Sequence, residues 1–311
     1  MTDKKSTARE WARHTQRPID AEHDEAIKEW RERIRTLQAP DPYPPMKKRP
    51  KLGQTILVIG DTHMAPGQDL RRMEWLGHAI TDLKPDVVVC CGDAWSMDSL
   101  ASFDSPGSKA FEGRRYWADI DIGISGRLRT QAVIDNYNRP RKKKDRIEPR
   151  FVALLGNHEN RITKFIESDV GRRFEGMVGL HDLRQTEPEC GAWEQIPFLQ
   201  SVEIAGISFC HYWPSGLMNR ATSSTNVMLN RQHVSCIAGH SHLYQHSVAT
   251  GGDGLMRHAI MAGCYFSHFE EWAQQANLLW RRGLLLLTDC DGLGDFDHTW
   301  IGMNQVKARY G

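Results

Sequence analysis

Residues 55–63 read TILVIGDTH: five residues made for a buried strand, a glycine, and then an aspartate and a histidine one residue apart. A continuous β-branched run of this kind suits a strand covered on both faces, and the polar residues at its end mark where the chain leaves the sheet. The pattern recurs. Val87–Cys91 is apolar and runs into Gly92-Asp93, and Phe151–Leu155 is apolar and runs into Gly156-Asn157-His158-Glu159. Arg71–Leu83, between the first two strands, has helical spacing. Strand, polar loop and helix in that order put functional groups at the carboxyl ends of strands in an α/β sheet.

Further along, Ser201–Ile204 and Ile207–Cys210 flank Ala205-Gly206, which reads as a tight hairpin turn. His211 ends the second of these strands, and Val234–Ala238 runs into Gly239-His240-Ser241-His242. With more strand-like runs in 245–264 and 284–302, the second half predicts a mainly antiparallel sheet. Residues 97–150 interrupt the rhythm as a Gly-, Ser- and charge-rich insertion with a helix expected near Leu128–Tyr137.

Ahead of all this, Ile27, Trp30, Ile34 and Leu37 recur at helical spacing, giving an N-terminal arm (1–39) with an amphipathic helix. A proline-rich linker (40–53) follows, then one large domain over 54–311. The arm reads as a helix docked on the main body, with an oligomer- or partner-binding arm as the alternative.

Composition limits the function classes. Residues 1–52 hold 13 Lys/Arg against 9 Asp/Glu, leaving 27 and 30 in the rest, so the domain is slightly acidic. A surface built wholly for nucleic acid would be more basic. One local basic run stands out, Arg139, Arg141, Lys142, Lys143, Lys144, Arg146 and Arg150. A helix before it and a strand after it place it at the edge away from the polar loops, as a solvated surface. No apolar run approaches a membrane span, and the polar start MTDKKSTARE is not a secretory signal. Seven cysteines with no CxxC pair suit reduced, buried thiols, and the expected location is cytoplasmic.

If the chain stays extended after the first strand, Asp61 and His63 face one side, as do His240 and His242, because side chains alternate with a period of two. Carboxylates, imidazoles and the Asn157 amide oxygen are ligands for a divalent cation. Singly each signal is weak; their order along the strands is what carries weight.

That ordered set, Asp61-x-His63, Gly92-Asp93, Gly156-Asn157-His158-Glu159, His211 and Gly239-His240-x-His242, resembles the calcineurin-like metallophosphoesterase superfamily over about residues 54–243. The last block resembles the branch with small bacterial and phage phosphodiesterases and repair nucleases. The resemblance implies a two-sheet β-sandwich flanked by helices, a four-layer α/β/β/α fold. It implies one metal ion on Asp61, His63, Asp93 and His242 and a second on Asp93, Asn157, His211 and His240, with manganese first and iron, zinc or nickel as alternatives. The implied reaction is hydrolysis of a phosphomonoester or phosphodiester, small or nucleotide-like, by a hydroxide held between the two ions. The alternatives are a manganese-dependent DNA nuclease and a non-catalytic scaffold. His158 is the expected catalytic residue at the leaving oxygen. Arg161 is a candidate phosphate clamp or else a solvated arginine at a helix start, and Trp95 and Tyr212 are candidate surfaces for the substrate or else packing residues.

Overall fold

The computed structural model describes residues 53–102, 112–216 and 220–311, and ahead of them Glu25, Lys28, Glu29 and Glu32, which are helical and exposed. The expected apolar face of the arm (Ile27, Trp30, Ile34 and Leu37) and the linker up to residue 52 lie outside the described residues. The first sheet contains β1 (Gln54–Ile59), β2 (Val87–Cys90), β3 (Arg150–Leu154), β4 (Glu194–Ile196), β10 (Gly283–Cys290) and β11 (Asp297–Gly302). Their order is β11-β10-β1-β2-β3-β4, with β1 to β4 mutually parallel and β10 and β11 antiparallel to their neighbours. The second sheet contains β5 (Val202–Ile204), β6 (Ile207–Cys210), β7 (Ser235–Ala238), β8 (Tyr244–Thr250) and β9 (Met256–Ala262), in the order β5-β6-β7-β9-β8.

Side-chain alternation turns these strands into layers. Ile56 and Val58 of β1, Val87 and Val89 of β2, and Val152 and Leu154 of β3 meet Ile204, Ile207, Phe209, Ile237 and Ile260 of the other sheet. The intervening Leu57, Ile59, Val88 and Ala153 face the opposite way. There they meet α1 (Arg71–Leu83), α2 (Tyr116–Asn138) and α5 (Met303–Tyr310) through residues such as Met73, Ile80, Ile120, Ile134 and Val306. On the far side, Cys236, Ala238, Ala259 and Met261 pack under Met228 and Leu229 of α4 (Thr225–Gln232). The result is the four-layer α/β/β/α sandwich that the resemblance implied. Strands buried on both faces have no polar side, which is why they read as unbroken apolar runs. All seven cysteines are buried and unpaired.

Two local expectations need correction. The second sheet is mixed rather than mainly antiparallel, because β6, β7 and β9 run parallel and only β5 and β8 at the edges are antiparallel. The eight-residue α4 carries the chain back between β6 and β7, as a parallel pair requires. Helix α2 starts at Tyr116, well before Leu128, and is the crossover between β2 and β3. Its Gly123 and Gly126, which weaken a helix prediction, are contact points. A Cβ on Gly123 would lie 1.7 Å from the Trp95 indole nitrogen, and one on Gly126 2.2 Å from the Met64 sulfur. The Ala205-Gly206 hairpin forms as expected, both residues having positive φ (52° and 75°), as a type I′ turn demands. Among the described residues no helix is long and apolar enough to cross a membrane.

Candidate metal centre

Five chain segments meet at the carboxyl ends of β1, β2, β3, β6 and β7. The loop after β1 is laid along the loop after β2: Thr62 and His63 donate to the Asp93 carbonyl (3.1 and 3.0 Å), Met64 donates to Ala94, and Ser96 donates back to Met64. Glu159 ties in the β3 loop. Its fully buried carboxylate accepts the backbone N–H of Asp93 (3.1 Å), Trp95 (2.9 Å) and Gly156 (2.7 Å). Gly156 and Gly239 let the backbone come this close; a Cβ would lie 2.0 Å from Asp93 Oδ1 in the first and 2.4 Å from Asp61 Oδ1 in the second.

The ligand-type side chains converge as the sequence predicts, though not by strand alternation. His63, Asp93, His240 and His242 all have left-handed backbones, with φ of 42°, 47°, 66° and 58°. The chain turns sharply at each, and His240 and His242 go to different groups. In the first group His242 Nε2 lies 3.0 Å from Asp61 Oδ2 and 3.0 Å from His63 Nε2. In the second, His211 Nε2 lies 3.4 Å from Asp93 Oδ2 and 3.0 Å from Asn157 Oδ1, with the His240 ring 5.2 Å from that of His211. Asp93 Oδ2 faces both groups, at 4.0 Å from His63 Nε2 and 3.8 Å from His158 Nε2. Asp61, His63, Asp93, His211 and His242 are buried; Asn157, His158 and His240 are half-buried.

Hydrogen-bond chemistry shows what this arrangement needs. His211 Nδ1 must donate to the Cys91 carbonyl at 2.8 Å, because that oxygen only accepts. In a neutral ring its Nε2 is then a lone pair, pointed at two further acceptors, Asn157 Oδ1 and Asp93 Oδ2. Asp61 Oδ2 and His240 Nδ1 are buried with no well-aligned hydrogen bond at all. Converging acceptors call for a proton or a cation among them, and this mixed N/O set suits divalent metal ions.

Without one, the carboxylates draw protons onto the imidazoles. Burial alone would hold His211 down, but the Asp93 charge and hydrogen bond raise it to about 9. Burial likewise opposes His63, which the Asp61 contact and the Asp93 charge raise. Asp61 and Asp93 are both held below the usual carboxylate range: burial opposes ionisation, and the surrounding imidazoles outweigh it. Burial pushes His158 down to about 3 against the upward pull of the Asp93 charge, and burial with the His211 charge lowers His240.

His158 donates from Nδ1 to the Ser96 carbonyl (2.7 Å), and Arg161 Nη2 lies 3.2 Å from its Nε2. Arg161 is buried, its Nη1 donating to the Ser96 and Met97 carbonyls, so it braces His158 rather than standing open as a clamp. Trp95 is corrected outright. It is fully buried, its indole N–H donates to the Ile120 carbonyl, and it offers a substrate no ring face. Tyr212 is on the rim, its ring 4.7 Å from His240 and 5.5 Å from His211. Phe266 and Trp280 stand edge-on to His242 at 5.3 and 4.5 Å, and nothing in the sequence marks them. Glu159 could have been found, since it closes the Gly-Asn-His-Glu block.

A search of curated proteins finds no match to the chain. A family model does match: that of the calcineurin-like phosphoesterases, over residues 54–261, which include every ligand-type residue of the centre. The chain therefore belongs to the calcineurin-like phosphoesterases and is a metal-dependent hydrolase of phosphate esters.

Proposed function

We propose that the protein hydrolyses a small phosphomonoester or phosphodiester using two divalent cations, manganese first. Asp61, His63, Asp93 and His242 would hold one ion and Asp93, Asn157, His211 and His240 the other. The observation that carries this reading is the position of Asp93 Oδ2, between His63 Nε2 of one group and His211 Nε2 of the other. A pair of such ions supplies charge neutralisation of the phosphate oxygens and a nucleophilic water at neutral pH.

The chain does the rest. The His158 backbone N–H occupies Asp93 Oδ1 at 2.8 Å, so Oδ2 is the carboxylate oxygen that would be available to metal ions. Ser96 fixes the His158 ring and Arg161 adds positive charge beside its Nε2, which would reach the departing ester oxygen as a donor only in the protonated ring. Tyr212 forms part of the rim the substrate passes.

The DNA-nuclease alternative draws no support from the basic run. Those residues precede or begin β3, whose other end leads to Asn157, and the Arg150 guanidinium there is paired with Glu194 at 2.6 Å. A panel of metals against monoesters, diesters, cyclic nucleotides and DNA, with chelated protein as control, decides between them. Turnover of small esters with manganese is the expected result. Cleavage of DNA alone, suppressed by salt, would overturn it. Asp93→Asn should abolish turnover, by about a thousandfold or more, with the circular dichroism spectrum unchanged; retained turnover would reject the shared-carboxylate site.

A further inference from the structure

The two groups of ligand-type side chains are flanked differently. Beside the first, the His158 ring lies 4.5 Å from that of His63, with Arg161 near the start of α3 (Asn160–Ile166) next to it. Beside the second stands Tyr212, the residue after His211. Its ring lies 4.7 Å from that of His240, tilted by 47°, and 5.5 Å from that of His211, and Phe198 meets it edge-on at 5.6 Å. The backbone there is held as well, with Cys210 Sγ donating to the Tyr212 carbonyl at 3.2 Å. Neighbouring rings on several sides fix the plane of the phenol.

Packing accounts for the ring but not for the hydroxyl. Tyr116, Tyr265 and Tyr310 each donate to a protein oxygen, at 2.6, 2.8 and 2.6 Å. Among the described residues the Tyr212 hydroxyl has no such partner, and the half-buried side chain does not seal it from solvent. Burial, and then the charge of Asp93, raise its pKa, so at neutral pH the group is a donor within the field of that carboxylate. A phosphate ester brings what is missing: anionic oxygens that only accept.

We propose that the Tyr212 hydroxyl donates a hydrogen bond to a non-bridging oxygen of the substrate's phosphate, which makes Tyr212 a catalytic residue beside the second ligand group. The inference rests on the reaction proposed above. The phenol keeps its proton throughout. Its part is to hold the phosphate in register and to meet the charge that gathers on the phosphoryl oxygens in the transition state.

Tyr212→Phe tests it, because the change removes one oxygen and keeps the ring beside His240. The manganese-loaded full chain is titrated with inorganic phosphate in a calorimeter, and turnover is followed with mono- and bis-p-nitrophenyl phosphate. In the variant, phosphate affinity should fall about tenfold and kcat/KM about 10- to 100-fold, with manganese affinity unchanged. If either phosphate affinity or turnover stays at the parent's level, the inference fails while the reaction stands. A loss of manganese affinity that matches the loss of turnover overturns it too, since the phenol would then act only as a support for His240. No turnover of any ester by the parent protein with any metal sinks the reaction itself, and the Tyr212 contact with it.

Discussion

Glu159 offers no atom to a metal, yet three backbone N–H groups converge on its carboxylate from the loops that carry Asp93 and Asn157. An amide in its place keeps one acceptor and turns a donor toward donors. Glu159→Gln should therefore weaken metal binding about 10- to 100-fold without unfolding the domain, measured by calorimetric titration. Unchanged affinity would mean the loops hold their own shape. The histidines give a second test. In chelated protein His211 is raised to about 9 and His63 is raised as well. A raised histidine stabilises the fold below its unfolded value of about 6.5, and that contribution is lost as pH climbs toward 9. The urea midpoint of chelated protein should fall across that interval, and a bound cation should flatten the trend. Metal uptake at neutral pH should release protons; uptake without release would contradict the assignment. Much of this centre was legible in the residues themselves, since aspartate, histidine and asparagine at strand ends announce their donors. The left-handed turns at His63 and His242 were not, because a dihedral angle is not written in a residue type.

At the scale of elements, legibility followed burial. Strands β1, β2 and β3 were found close to their limits, because beyond the polar starts at Gln54, Thr55 and Arg150 both faces are covered and the residues are apolar. Helix α2 was half missed, since Gly123 and Gly126 argue against a helix when its neighbours are unknown. The structure reverses that argument: glycine stands there because Trp95 and Met64 fill the space. Gly123→Ala should accordingly destabilise the protein by about 1–3 kcal/mol in denaturant titration, although alanine raises intrinsic helix propensity by about 1 kcal/mol. A gain in stability would show that the helix can step away from Trp95. The parallel centre of the second sheet was illegible for a related reason. Its direction depends on α4, an eight-residue helix too short to leave a periodic signature.

At the scale of the whole molecule the two sheets meet mainly through apolar residues, and away from the metal centre a polar cluster also joins them. His246 of β8 and His258 of β9 are joined at 3.0 Å, His258 reaches Asp295 at 2.8 Å, and His298 of β11 stands 4.6 Å from His246. This cluster therefore spans from one sheet to the other. Burial, and then the charges of His298 and His258, push His246 down to about 4. A depressed histidine makes the unfolded chain take up the proton first, so stability should decline as pH falls from about 6.5 to 4. The decline should be shallower in His246→Gln, read as melting temperature against pH. Identical profiles would place acid sensitivity elsewhere.

The left-handed backbones at His63, Asp93, His240 and His242 have a consequence for anyone breeding hardier variants. Each holds a conformation that side-chain-bearing residues avoid, at roughly 1 kcal/mol or more apiece, and glycine or asparagine would relax it. A screen for heat resistance run in chelator would reward those replacements and return sturdy, inert survivors. Screening with manganese present would turn the same pressure into protection for the site.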